Sequence, residues 1–213
     1  MFIRNHRFVS LLGVLLVACL APSAKAEESI YNISAAAFIS SVEIAAEVNH
    51  GMGVVLEGGH TIATCAHVVR DYKWVDVTKD GNTYKGYVIA TDLSIDVAVI
   101  WTLANLKPFQ YIDSVMTPLV NSSVIALGRE GREPTIQMGV VLDIPETDTG
   151  RFNTSLPGGP GASGGPVLDM NANLVGIIKG GCPSAIKSEC TTSVIPIGVV
   201  LKFIAETRRL VNR

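Results

Sequence analysis

An all-β chain of two packed six-stranded antiparallel β-barrels, closed by a C-terminal α-helix, is what the sequence predicts. Short apolar runs of strand length recur along it, separated by glycine pairs or Asp-Gly turns. The runs form two sets, divided by looser sequence near residues 105–118. Helical spacing is confined to the tail from Ile197 to about Val211, where Val200, Phe203, Ile204 and Leu210 are apolar. A chain of 213 residues with 48% hydrophobic side chains can bury two such cores. Its net charge of −2 and the lack of a Lys/Arg stripe argue against a nucleic-acid partner.

Taken in order, residues 1–26 read as an export leader. Arg4, His6 and Arg7 form a basic head, Phe8 to Leu20 an apolar run, and Ala24-Lys25-Ala26 a small-residue cleavage site. "LVAC", ending at Cys19, competes as a lipidation site, which would make the product a lipoprotein on a membrane surface. Either route predicts a periplasmic or secreted protein. A first barrel is assigned to residues 27–112, beginning with a short helix near Ser34 to Ile39. "GMGVVLEGGHTIATCAHVV" predicts a hairpin turning at Gly58-Gly59, and "WVDVTKDGNTYKGYVIA" another turning at Asp80-Gly81. "IDVAVIWT" is a further strand. A second barrel and the terminal helix are assigned to residues 113–213, with strands at "SSVIALG", "IQMGVVLDI", "RFNTSL", "GGPVLD", "NLVGIIKG" and "TSVIPI".

Export changes how the cysteines read. After cleavage at Ala26, Cys65, Cys182 and Cys190 remain. Cys182 and Cys190 bracket a short polar loop and are the pair expected to form a disulfide in an oxidising compartment. Cys65 is then left reduced. No Cys/His spacing resembles a zinc site, and neither a metal nor another cofactor is expected.

The chemistry centres on "GGPGASGGPVLD", residues 158–169, where Ser163 stands among glycines. Such backbone can turn sharply and aim N–H groups at an oxyanion. A serine needs an oriented base to act as a nucleophile. His50, His60 and His67 all precede Ser163. The Ser-acid-His order of α/β-hydrolases is therefore closed, and the order His, Asp, Ser stays open. His67 ends the apolar run "TIATCAH" and is expected on the end of a strand. Asp96 lies in "SIDVAVIW" and is expected inside an apolar strand, where an unpaired carboxylate costs several kcal/mol. It has a physical reason to seek a histidine.

These stretches resemble a known family. "TCAHVV" resembles the histidine motif of the trypsin-like, chymotrypsin-fold serine proteases, "DLSIDVAVI" that of their acid, and "GASGGPVLD…NLVGII" their nucleophile motif and substrate strand. "SVIPIGVVLKFIAE" is similar to the end of the bacterial HtrA-like branch, and no PDZ-like region is expected to follow. The resemblance implies a peptidase of protein or peptide substrates with Ser163 as nucleophile, His67 as general base and Asp96 orienting it. It implies Gly161 and Ser163 N–H groups as the oxyanion hole. It also implies Pro157 near the floor of the specificity pocket, with Lys179, Gly180 and Gly181 along the substrate and Cys182 at the pocket rim.

Three departures qualify the likeness. Ala162 stands where pancreatic enzymes carry an activating aspartate. Cys65 replaces an alanine two residues before His67, and strand parity would put it on the histidine's face. Lys179 replaces the usual Ser or Thr beside the acid. No acidic residue lies near Pro157, so a small or apolar residue is expected in the pocket rather than Arg or Lys. Two other readings stay open: a catalytically silent binding protein on the same fold, and an esterase using the same triad.

Overall fold

In a computed structural model, which describes residues 24–110, 118–130, 133–145, 150–181 and 191–211, the strands close into two antiparallel barrels. The first holds β1 (Ser41–Ala46), β2 (Asn49–Val55), β3 (Thr61–Thr64), β4 (Trp74–Lys79), β5 (Asn82–Asp92) and β6 (Val97–Thr102), in the order β1-β2-β3-β6-β5-β4. The second holds β7 (Ser123–Glu130), β8 (Glu133–Asp143), β9 (Phe152–Thr154), β10 (Pro166–Asp169), β11 (Leu174–Gly181) and β12 (Thr192–Pro196), in the order β10-β11-β12-β9-β8-β7. Helix α1 (Ala24–Ile39) precedes the strands, α2 (Ala66–Val69) is a single turn after β3, and α3 (Ile197–Val211) ends the described chain. Cys19, most of the expected leader, and both Cys182 and Cys190 lie outside the described residues.

The two hairpins turn where expected. Asp80 and Gly81 take φ of 50° and 78°, the left-handed pair that matches strand twist in a two-residue turn. Closure follows from β1 pairing with both β2 and β4. That strand is not singled out by the sequence, although Val42, Ile44 and Ala46 alternate inward along it. The expected short helix at Ser34–Ile39 is longer, running from Ala24 and burying Ile33 and Ala37. It packs on β7 and β10 of the second barrel.

Strands β7, β10 and β11 of the second barrel are buried on both faces, which is why they read as unbroken apolar runs. On β7, Val124 and Ala126 join the barrel interior around Phe152, while Ile125 and Leu127 join the core shared with the first barrel and α3. On β11, Val175 and Ile178 face inward, and Leu174 and Ile177 face the shared core. Each fully buried side chain of this kind contributes roughly 1.5–3 kcal/mol. Helix α3 sets Ile197, Val200 and Ile204 into the same shared core.

One backbone contact between the barrels tolerates no side chain. Met52 N–H donates to Ser163 O at 2.7 Å, and Gly164 N–H to Ile178 O at 2.7 Å. Gly164 has φ of +86°, and a Cβ there would lie 1.9 Å from Met52 O. No side chain fits. Gly164→Ala is therefore expected to cost about 3 kcal/mol or more in chemical denaturation, through clash with backbone that cannot swing away. Gly81→Ala tests backbone strain alone, since φ is +78° but nothing lies within 4 Å. It should cost only about 1–2 kcal/mol. Equal losses for the two would refute the steric account.

Candidate active site

Asp96 does not lie inside a strand as expected. It occupies the turn before β6, in the left-handed region at φ of 61°. Aspartate tolerates this conformation better than most residues. From there the residue works at both its backbone and its side chain. Its carbonyl accepts from Ala66 N–H at 3.2 Å, and its Oδ1 accepts from His67 N–H at 3.0 Å. These are orphan donors of the first turn of α2, whose N-cap Cys65 makes no side-chain cap. A carboxylate 29 positions downstream of His67 caps the helix instead.

His67 therefore stands on a capped helical turn, not on the strand end expected for it. Its Nδ1 lies 2.9 Å from Asp96 Oδ2 and 3.1 Å from Oδ1. A carboxylate only accepts, so Nδ1 carries the proton and Nε2 is left as the basic nitrogen. The imidazole is half exposed, while Asp96 is 6% exposed. Burial pushes the Asp96 carboxyl up. The hydrogen bonds from His67 and the charges of His67 and Lys179 together outweigh this and hold it below its ordinary value.

Ser163 is presented between β9 and β10, half-buried. Its Oγ donates to Lys179 O at 3.1 Å rather than to His67. Gly161 takes φ of +83°, and the chain folds back through Ala162 N–H to Gly159 O and Gly165 N–H to Ala162 O. Among the described residues, neither Gly161 N–H nor Ser163 N–H has an intramolecular acceptor. Two donors are thus left open on either side of Ala162.

Lys179 extends toward the acid, its Nζ 3.8 Å from Asp96 Oδ2. Cys65 is fully buried and unpaired, with its thiol donating to Ile178 O at 3.2 Å. It does not share a strand face with His67, because β3 ends at Thr64. Burial pushes its thiol far up, and the Asp96 charge adds to this, so it stays protonated.

Beside Ser163, the space between residues 157–160 and β11 is narrow. A side chain at Gly158 would meet Thr192 Oγ1 at 2.7 Å and Gly181 Cα at 3.4 Å. Buried Thr192 donates to Leu156 O at 2.7 Å. Gln137 Nε2 donates to Gly158 O at 2.8 Å, and its Oε1 accepts from Gly158 N–H at 3.1 Å. Pro157 itself is exposed, and Thr192 takes the buried ground. A position added to Gly180 would meet nothing within 4 Å, so β11 is open there. Thr192 and Gln137 are absent from the sequence-based site. The signal for Gln137 was a lone amide in the apolar run "IQMGVV"; Thr192 carried none.

The model of the trypsin-like peptidase domain matches residues 51–177, more than half of the chain. A putative serine protease HhoB of Synechocystis is 29% identical over 142 residues, covering 62% of this chain and 34% of the relative. A probable periplasmic serine endoprotease, DegP-like, of Chlamydia trachomatis is 29% identical over 136 residues, covering 60% and 27%. The chain thus spans about a third of the length of these curated relatives. A serine endoprotease from Yersinia pestis shares the fold at TM-score 0.74 and 19% identity, over 89% of this chain and 68% of that one. An HtrA-type protease, AlgW, with tripeptide, has TM-score 0.71 and 19% identity over 82% of this chain and 62% of that one.

The lowered Asp96 carboxyl couples stability to pH. Its folded value is depressed below 3.8. The stability it contributes is therefore complete above that pH and lost as pH falls through the lower folded value. Asp96→Asn should be less stable than the parent by about 1–2 kcal/mol near pH 6, discounted because His67 is half exposed. In urea titrations the gap should narrow below about pH 4. A gap that stays constant to pH 2 would sink this assignment.

Proposed function

The chain belongs to the trypsin-like peptidase domain family, and on that premise we propose that it is an exported serine endopeptidase working through an acyl-enzyme. The observation that carries the reading is the grip of buried Asp96 on His67, with open N–H donors at Gly161 and at Ser163 itself. His67 Nε2 takes the proton as Ser163 Oγ attacks the scissile carbonyl. Asp96 steadies the imidazolium so formed, and the same proton then passes to the leaving amine. Gly161 and Ser163 N–H groups receive the tetrahedral oxyanion, each donor worth about 3 kcal/mol of transition-state stabilisation. Water, activated by the same imidazole, releases the acyl group.

A peptide would lie along Lys179, Gly180 and Gly181 as an added strand, a mode that needs only backbone groups and an open edge. The contact of Gly158 with Gly181, floored by Thr192, supports a small residue before the cleaved bond. Export is supported by the leader pattern and by the periplasmic location in the name of the Chlamydia relative. A silent binding protein is the second reading, favoured by the Ser163 hydroxyl resting on Lys179 O.

Reaction with a fluorophosphonate, casein and a nitrophenyl ester separates the readings. A peptidase should react with all three, an esterase should spare casein, and a silent protein should react with none. Ser163→Ala should lower casein cleavage by at least about 10⁴-fold with the fold unchanged, and His67→Ala nearly as much. Wild-type cleavage by Ser163→Ala would refute the assignment.

Mass analysis of protein exported by a bacterial host should show a chain beginning at Glu27. A lipid-bearing chain beginning at Cys19 would reject that start and support membrane anchoring.

A further inference from the structure

Asp96 Oδ2 is shared. The oxygen that lies 2.9 Å from His67 Nδ1 also lies 3.8 Å from Lys179 Nζ. Consider the charge of this cluster. Without Lys179, proton uptake by His67 would take the pair from −1 to 0, a neutralising step. With Lys179 in place the count starts at 0 and ends at +1, a charging step. Asp96 is buried and Lys179 one-third exposed, so solvent screens the effect without removing it.

We propose that Lys179 is a positioning residue that sets the acid edge of the working pH range, by engaging the Asp96 carboxylate so that His67 keeps its base form at lower pH. The lysine does this through Asp96 and needs no contact with substrate. Its backbone carbonyl has a separate task, receiving Ser163 Oγ, which any residue could perform. The inference rests on the peptidase reading only for its effect on rate; the electrostatics hold whether or not the protein cleaves peptides.

Other groups around the pair come from several elements, and none duplicates this contact. Cys65, at the cap of α2, stays a neutral thiol. Asp92, at the end of β5, is held ionised by Ser94 and the N–H of Ile95. Arg151, just before β9, donates to Ser94 O at 3.3 Å, and its buried Nε has no partner among the described residues. It adds positive charge on the same side but lies against the turn backbone rather than the carboxylate. All three remain unchanged when Lys179 is replaced, so a replacement reads the lysine alone.

The test uses the full chain carrying Ser163→Ala, which removes self-digestion, with Lys179 varied to Arg, Met and Glu. The ring signals of His67 are followed by NMR against pH and assigned by their loss in His67→Gln. The titration midpoint should match the parent in Lys179→Arg, rise by about half a unit in Lys179→Met, and rise further in Lys179→Glu. High salt should move the Lys179 protein toward the Met variant. A purely packing role would not order the variants by charge. Equal midpoints in Lys, Met and Glu proteins, or a fall in the Glu variant, would overturn the proposal. With Ser163 restored, the acid limb of kcat/KM should move in step with the NMR midpoint. An inactive parent would refute the peptidase reading, while the NMR series would still decide the role of Lys179.

Discussion

A buried carboxylate is a demand that the surrounding chain has to meet. Asp96 is almost wholly out of water, and an unpaired charge there would cost several kcal/mol. The fold meets the demand with the His67 N–H, the His67 imidazole and the Lys179 ammonium. Each of those donors is thereby placed. The N–H bond holds the first turn of α2, the imidazole bond fixes the tautomer and ring orientation, and the ammonium ties β11 of the second barrel to the first. The left-handed backbone at Asp96 is part of the same solution. It lets the carbonyl and the carboxylate reach successive N–H groups of α2. A conformation that costs roughly 1–2 kcal/mol in isolation is compensated by bonds that only it permits.

The other half of the site depends on a junction rather than a charge. The peptide between Ser163 and Gly164 is held on one side by Met52 of the first barrel and on the other by Ile178 of the second. Thr64 Oγ1 donates to the same Met52 carbonyl that excludes a side chain at Gly164. Arg129 crosses the junction as well, pairing with Glu43 at 3.1 Å while its side chain lies alongside Gly161. The serine therefore belongs to both barrels at once. Its position relative to His67 is set by backbone bonds, which tolerate little drift. That rigidity is what pre-organised chemistry requires, since a displacement of about 1 Å can cost two orders of magnitude in rate.

Much of this was legible in the sequence. Turn pairs at Gly58-Gly59 and Asp80-Gly81 and the uninterrupted runs of the second barrel gave the strands that the structure contains. His67, Asp96 and Ser163 were singled out by chain order and by the cost of a lone carboxylate, and His67 and Asp96 do meet. The errors were local, and each has a physical origin. The run "TIATCAH" carries no glycine or proline to announce that β3 stops at Thr64. What ends it is Asp96, a long-range cap invisible to any window of neighbouring residues. The apolar neighbours of Asp96 argue for a place within the strand, yet an aspartate can take φ above zero and stand just before it. Strand β1 is not legible in the sequence because "SVEIAA" is short and poor in strand-forming aromatics. Thr192 gave no signal at all, because its partners arrive from separate strands.

The closed slot beside Ser163 shows why such residues escape a reading of motifs yet shape the site. Gly158 and Gly181 approach closely because neither has a side chain, but approach alone would leave the segment around Gly158 free to move. Gln137 removes that freedom by taking both the N–H and the carbonyl of Gly158, so the wall cannot slide or flip without breaking two bonds. Thr192 fixes the floor by spending its hydroxyl on Leu156 O, and the same oxygen is what a side chain at Gly158 or Gly181 would meet. Buried polar groups are expensive unless satisfied, and these are satisfied by the backbone of the slot itself. Rigidity and narrowness thus have one cause. Thr192 Oγ1, bonded to Leu156 O, also stands between Gly158 and Gly181, so widening the slot would require giving up a bond that defines it.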